Sequence, residues 1–516
     1  MALKSHRLTF VVLPVGGHVS GGALRAFLIR DNWNDFSYVT SFHLIIHDER
    51  GTQHNLGTVK IGQFGMAETE LSPRIPIEFE RLDESFFSLG QNVDYYGTIS
   101  RLSSDLRVQI LTALRDVVAD EEVFSKALKE RVMKVSLLRF VSPVTVRGQF
   151  RRVARGGARV TPYSFEYATP DFKENDLPPI RLTFEVAPDS EPPTNIHVLV
   201  GRNGVGKTFL LRQMSKSLVN PEQLGKSGLF SFNSDKALAE QFASLVSVSF
   251  SAFDPFEAID RVRKSRGRIP FTYIGLHRPK TSRGANRPKD LDALADEFVE
   301  SVVACQLRGK RNPWLHALAT LESDPLFLDA GLKFLTNHRD QKELRKRASD
   351  LYRVLSAGHK IVLHTLTRLV ETVEERTLVL LDEPESHLHA PLLAAFVRAI
   401  SDLLVHRNGV AIVATHSPVV VQEVPRSCVW KIRRIGTAAR AERPEIETFG
   451  ENLGVLSREV FGHEVTDAGF HKMLETAVKE GLEFDAVSRR FDGQLGAEAQ
   501  AIVQGLIASR DARERP

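Results

Sequence analysis

The chain has 516 residues, 42% apolar and 26% charged, with a formal net charge of +4. These values are ordinary for a soluble globular protein of two or three domains. Its two cysteines, Cys305 and Cys428, form no CxxC and argue against a zinc site or a disulfide framework. No run of about 18 apolar residues is present to span a membrane, so the expected compartment is the cytoplasm.

The opening run "LTFVVLPVGG" is short and reads as a first strand rather than a signal peptide. Residues 8–100 are rich in β-branched and aromatic runs between turn-like "GGHVSGG" and "DERGTQ", which predicts strands. Leu106, Ile110 and Leu114 recur four apart, which predicts helix over 101–140. The basic stretch "VRGQFRRVARGGARV" follows, then strands "YSFEYAT" and "RLTFEVA" and the proline joints "DLPP" and "SEPP". Residues 209–350 read as mostly helical, with a basic connection over 278–290. Motifs crowd 351–417. The last hundred residues read as a mixed tail. No internal repeat or heptad array appears.

Four motifs carry chemistry. Gly201 to Thr208, "GRNGVGKT", matches G-x-x-x-x-G-K-[ST] in full. The apolar run "IHVLV" precedes it, and a helical face of Leu210, Leu211, Met214 and Leu218 follows. Gly201, Asn203, Gly204 and Gly206 would let backbone N–H groups wrap phosphates. Lys207 would reach the β- and γ-phosphates, and Thr208 would give its hydroxyl to Mg²⁺. In "TLVLLDEPESHLH" an apolar run suited to a buried parallel strand ends in Asp382-Glu383. Asp382 would hold Mg²⁺, and Glu383 could polarise an attacking water. In "GVAIVATHSP" a further strand ends at His416, within hydrogen-bond reach of a γ-phosphate if the two strands form a βαβ unit. In "LSAGHK", Ser356 and Gly358 open a helix with Val362, Leu366, Leu369 and Val373 on one face, a second anion-binding surface.

In this order, "GRNGVGKT", "LSAGHK", "LVLLDEPESHLH" and "ATHS" resemble the ABC-class ATPases. The resemblance covers roughly 196–220 and 350–425, not 1–150. It implies an α/β fold: a P-loop sheet with a helical signature subdomain, spanning 151–425 with a helical insertion over about 209–350. A strand-rich accessory region would occupy 1–150, and 426–516 would be a partner-binding tail. It further implies ATP and Mg²⁺ as cofactors and a dimer in which Ser356 and Gly358 act in trans. Glu383 would be the catalytic base, His416 the switch histidine, and Ser386 to His389 the dimer-communicating loop. "DEPESHLHAP" has His389 where transport cassettes have Asp. In this it is similar to the RecF/SMC-like branch, including overcoming-lysogenization-defect nucleases and Septu-type anti-phage ATPases.

Two family features lack an obvious bearer. "LVSVSFSAFDPF" has no glutamine at its strand end, which leaves Ser251 or Asp254 for that role. Tyr163, Phe165, Tyr167 and Phe184 are candidates to stack on adenine, with core packing the competing role for each. Three functions compete: a defence ATPase governing a separate effector, a RecF/SMC-like repair ATPase, and a transporter energy subunit. "IETFGEN" and "EFDAVSRRFDG" lack the clustered carboxylates of a metal-dependent nuclease, which favours the separate effector. Arg147, Arg151, Arg152, Arg155 and Arg159, with Arg278, Lys280, Arg283, Arg287 and Lys289, could bind DNA phosphates or dock an acidic partner.

Overall fold

A computed structural model describes the chain apart from residues 1–6, 36–37, 68–69, 158–159, 171–178, 220–223, 233–240, 251–268, 278–287, 308–309, 337–339, 436–437, 462–468 and 515–516. Strands β1 (Thr9–Leu13), β2 (Arg25–Arg30), β3 (Ser41–His47), β4 (Gln53–Gln63), β5 (Glu78–Phe79) and β6 (Phe86–Gly90) form one sheet in the order β5-β1-β2-β3-β4-β6. The strand-rich N-terminal prediction ends early, because Asn92 caps a helix over Val93–Ser100. That helix and those over Ser104–Ala113 and Glu121–Ala127 share one core with the sheet, and Leu106, Ile110 and Leu114 are buried in it.

Strands β7 (Tyr163–Ala168), β8 (Arg181–Val186) and β10 (Leu229–Phe232) form a small antiparallel sheet. The main sheet comprises β9 (Ile196–Val200), β11 (Ser244–Ser249), β12 (Phe271–Gly275), β13 (Thr377–Asp382), β14 (Val410–Thr415), β15 (Val429–Ile435) and β16 (Ala438–Glu442). Its order is β12-β11-β13-β14-β9-β15-β16, parallel except at β16. The described part of 209–350 is mostly helical, as expected, but it also contributes three strands. β10, β11 and β12 lie in its first half beside helices over Lys207–Val219 and Leu224–Ser227, and only helices are described over 291–350. "SLVSVS" is short and β-branched, and its apolar side chains are buried as a strand between two parallel neighbours. β15 and β16, past residue 425, extend this same sheet.

Alternation splits the central strands between two cores. Val379 and Leu381 of β13 face the helical side, and Leu378 and Leu380 face the phosphate-loop helix and the small sheet. A parallel sheet buried on both faces leaves its carboxyl-terminal edge as the place for a ligand. The last three helices, within 469–514, close around a separate core of Leu474, Val478, Val487 and Val503.

The basic run over 146–155 largely joins the N-terminal region to the head. Arg147 and Arg151 pair with Glu121, and Arg152 pairs with Glu375 at 2.8 Å. Gln149 N–H donates to Glu375, and Ser142 N–H donates to Glu374. Arg155 stays exposed, whereas Arg159 and residues 278–287 lie outside the described residues. Lys289 pairs with Glu297 at 2.9 Å.

Candidate nucleotide site

The phosphate loop leaves β9 at Gly201, where a Cβ would lie 2.3 Å from the Ile432 carbonyl oxygen of β15. Gly204 and Gly206 have φ of +80° and +104°, conformations that a side chain would strain. Asn203 stands at the exposed tip. A helix of thirteen residues, Lys207–Val219, then begins, its first amides unpaired within the helix and aimed at the loop. Lys207 is 4% exposed, and its ammonium donates to the carbonyls of Gly201 and Arg202 at 2.9 and 3.0 Å. Burial pulls its pKa down, opposed by Glu383, Glu385 and Asp382.

Parallel pairing sets three strand ends side by side. Asp382 of β13 is in register with Ser249 of β11 on one side and Ala414 of β14 on the other. Thr208 Oγ1 donates to Asp382 Oδ1 at 2.9 Å, across 174 residues of sequence. Burial raises the Asp382 carboxyl to about 6; Glu383 adds to this, while the Thr208 hydrogen bond opposes it. A carboxylate and a hydroxyl held together beside a second carboxylate fit a hard cation that takes its remaining ligands from phosphate and water. Glu383 follows with φ of +47°, rare for a residue with a side chain, and its N–H is held by the Ala414 carbonyl at 2.8 Å. That turn lifts the Glu383 carboxylate off the strand direction.

Glu385 was not singled out from the sequence, yet it organises the far wall. Its Oε1 accepts from Thr415 Oγ1 at 2.7 Å and from His416 N–H at 2.7 Å. The His416 ring nitrogen Nδ1 lies 3.0 Å from the same carboxylate oxygen, and 3.9 Å from Glu383. The side chain is 9% exposed. The only sequence signal was a second glutamate two residues after Glu383. Its position depends on how 383–387 turns, with His387 also left-handed at φ of +71°.

Ser356 and Gly358 lie at the head of a sixteen-residue helix, Ala357–Thr372, against the turn that follows Glu385. A Cβ on Gly358 would lie 2.4 Å from the His387 carbonyl oxygen, so that contact admits only glycine. Ser356 caps the helix, and its hydrogen bonds go to His359 rather than to the phosphate loop. The structure thus gathers Lys207, Thr208, Asp382, Glu383 and His416 at one sheet edge, and it packs Gly358 against the turn that follows them.

Of the adenine-stacking candidates, Phe165, Tyr167 and Phe184 are core residues at 3%, 0% and 0% exposure. The Tyr163 ring is covered by the Arg376 guanidinium, 3.6 Å from its centroid. Core packing claims all four aromatics. Ser251 and Asp254 lie outside the described residues.

A glycine-rich cradle on a strand-to-helix turn, with an acidic strand end beside it in a two-sided parallel sheet, defines a P-loop ATPase of the ABC-like kind. Residues 323–422 match the family described as "AAA domain, putative AbiEii toxin, Type IV TA system". Protein ea59 of Escherichia phage lambda is 40% identical over 533 aligned positions, covering 98% of this chain and 99% of that one, and the chain belongs to its family. Among solved structures, an inward-facing putative metal-chelate type ABC transporter matches at TM-score 0.28 and 14% identity, over 60% of this chain and 89% of that one. UvrA2 from Deinococcus radiodurans matches at TM-score 0.27 and 17% identity, over 58% and 39%. Both likenesses are too loose to argue from.

Proposed function

We propose that the chain is the ATP-hydrolysing head of a prokaryotic anti-phage defence complex. It dimerises through composite ATP sites and controls a separate, nuclease-like effector. Lys207 and the loop amides bind the triphosphate; Thr208 and Asp382 would hold Mg²⁺, which neutralises charge on the phosphates. Glu383 polarises the attacking water, and His416, held by Glu385, contacts the γ-phosphate.

The observation that carries the dimer is the setting of Ser356. It is an exposed helix cap whose hydrogen bonds go to His359, beside Val354 at 81% exposure. The neighbouring helix Pro325–Ala330 exposes Leu326 at 54% and Leu328 at 60%. An anion-binding helix terminus rimmed by exposed apolar residues suits a second copy that brings a phosphate to it.

The separate effector rests on the carboxylate spacing of the C-terminal sequence. The C-terminal helices have their own small core and expose Phe470 and Met473, which offers a docking surface. A phage-encoded relative and a family description that includes a toxin support the setting of phage–host conflict.

The test mixes two inactive variants. Lys207→Ala lacks the cradle cation and Ser356→Arg blocks the surface offered to the partner. Together they should regain ATP hydrolysis at up to one composite site per heterodimer. No recovery at any ratio, with heterodimers demonstrated, refutes the composite site. Purified protein should not cut DNA or RNA with Mg²⁺ or Mn²⁺, and cleavage lost in a carboxylate variant of this chain would refute the separate effector.

A further inference from the structure

Behind Ser356 lies a buried chain of polar groups that no motif announced. Ser356 Oγ is 2.7 Å from His359 Nδ1. The other ring nitrogen, Nε2, is 3.1 Å from Asp324 Oδ1. The second Asp324 oxygen is 3.5 Å from His389 Nε2, in the turn that follows Glu385. Asp324 and His359 are 7% and 6% exposed. The Phe327 ring packs edge-on against His359 at 4.8 Å, which fixes the plane of the imidazole.

The direction of these bonds matters. Asp324 Oδ1 also accepts the N–H groups of Leu326 and Phe327, so it caps the next helix and cannot swing away. Burial pushes its carboxyl up, but the His359 bond and those amides outweigh that and hold it below the ordinary range. A carboxylate accepts only, so the proton between Asp324 and His359 sits on Nε2. Nδ1 then faces Ser356. If Nδ1 is bare, the Ser356 proton points inward and only oxygen lone pairs face solvent, where a phosphate would be repelled. If Nδ1 also carries a proton, it donates to Ser356 Oγ and turns the hydroxyl proton outward. A phosphate at Ser356 favours that second arrangement, in which the hydroxyl donates outward.

We propose that Asp324 and His359 are a positioning pair that makes the Ser356 hydroxyl a hydrogen-bond donor toward the γ-phosphate held by a second copy of this chain. The inference rests on the reading of Ser356 given above. The same carboxylate approaches His389 Nε2 at 3.5 Å, which places it also against the turn following Glu383 and Glu385.

The test uses the full chain with MgATP. Steady-state phosphate release and nucleotide affinity are measured for Ser356→Ala, His359→Ala and Asp324→Asn. Asp324→Asn keeps an oxygen for the helix cap and for His359, removes the charge and turns an amide NH2 toward His389. All three should lower kcat roughly tenfold or more, the scale of a lost orienting contact, with KM and nucleotide affinity within about twofold. Adding Asp324→Asn to Ser356→Ala should cost nothing further. An unchanged kcat in Ser356→Ala refutes the role of Ser356 itself. A fall in Ser356→Ala with wild-type kcat in both other variants refutes the positioning pair alone. Additive losses in the double variant also refute it, because the pair would then act on something else.

Discussion

Asp382→Asn should stabilise the nucleotide-free protein while abolishing ATP turnover. The carboxyl is raised to about 6 from an ordinary 3.8, with burial the largest cause. At neutral pH the folded state therefore carries an ionised group that costs more there than in the unfolded chain. The gap of about two, at about 1.4 kcal/mol each, sets a ceiling of about 3 kcal/mol. Solvent at the open edge of the site reduces this to about 1–3 kcal/mol.

The sign follows from a raised folded pKa. Below about pH 4 both states hold the proton and Asp382 carries no penalty. The penalty grows as pH rises toward 6 and levels off above it. The gain from Asp382→Asn should therefore be near zero at pH 4 and largest above pH 6. Asn keeps an oxygen for the Thr208 hydroxyl, so the loop geometry survives. Thermal denaturation at pH 7.5 should show a higher midpoint, by roughly 1 °C per kcal/mol for a chain of this length. Saturating MgATP should narrow the difference, because the wild type, with its full Mg²⁺ ligand set, gains more of the binding term, which is about 2.7 kcal/mol at a hundredfold excess over Kd. A lower midpoint for the nucleotide-free variant at pH 7.5, or an equal gain at pH 4, would refute the reasoning.

Three further outcomes follow from the same geometry. Lys207→Ala should lose ATP binding, whereas Glu383→Gln should bind normally and turn over roughly 10²-fold more slowly; nucleotide titration and phosphate release separate them. Glu385→Gln removes the anionic partner of the His416 ring and should lower kcat roughly tenfold with ATP affinity retained, seen in the same two assays. Glu375→Ala removes the carboxylate that accepts from the Arg152 guanidinium and the Gln149 N–H at the seam between the N-terminal region and the head. It should cost about 2–4 kcal/mol and expose residues 142–157 to trypsin, whereas Glu375→Gln should cost less because it keeps an acceptor.

The sequence alone determined the local parts of the site. A phosphate loop is a short-range object. Its glycines, its lysine and the helix behind it are neighbours in the chain, so "GRNGVGKT" after "IHVLV" already specified strand, cradle and helix. The buried runs ending at Asp382 and at His416 were legible for the same reason, because a strand covered on both faces reads as continuous apolar text.

Only the tertiary structure decided which distant groups share an atom. Parallel register put Thr208 against Asp382 and Glu385 against His416, and no periodicity encodes register between strands separated by helices. Two left-handed residues, Glu383 and His387, turned the chain after Asp382 so that Glu385 points inward. Asp324 carried no sequence signal, and packing brought His359 and His389 to it. The arginines of "VRGQFRRVARGG" read as a basic surface because composition reports charge and not its partner. Folding spends Arg147, Arg151 and Arg152 on Glu121 and Glu375, since a charge near a buried seam must be paired to be tolerated there.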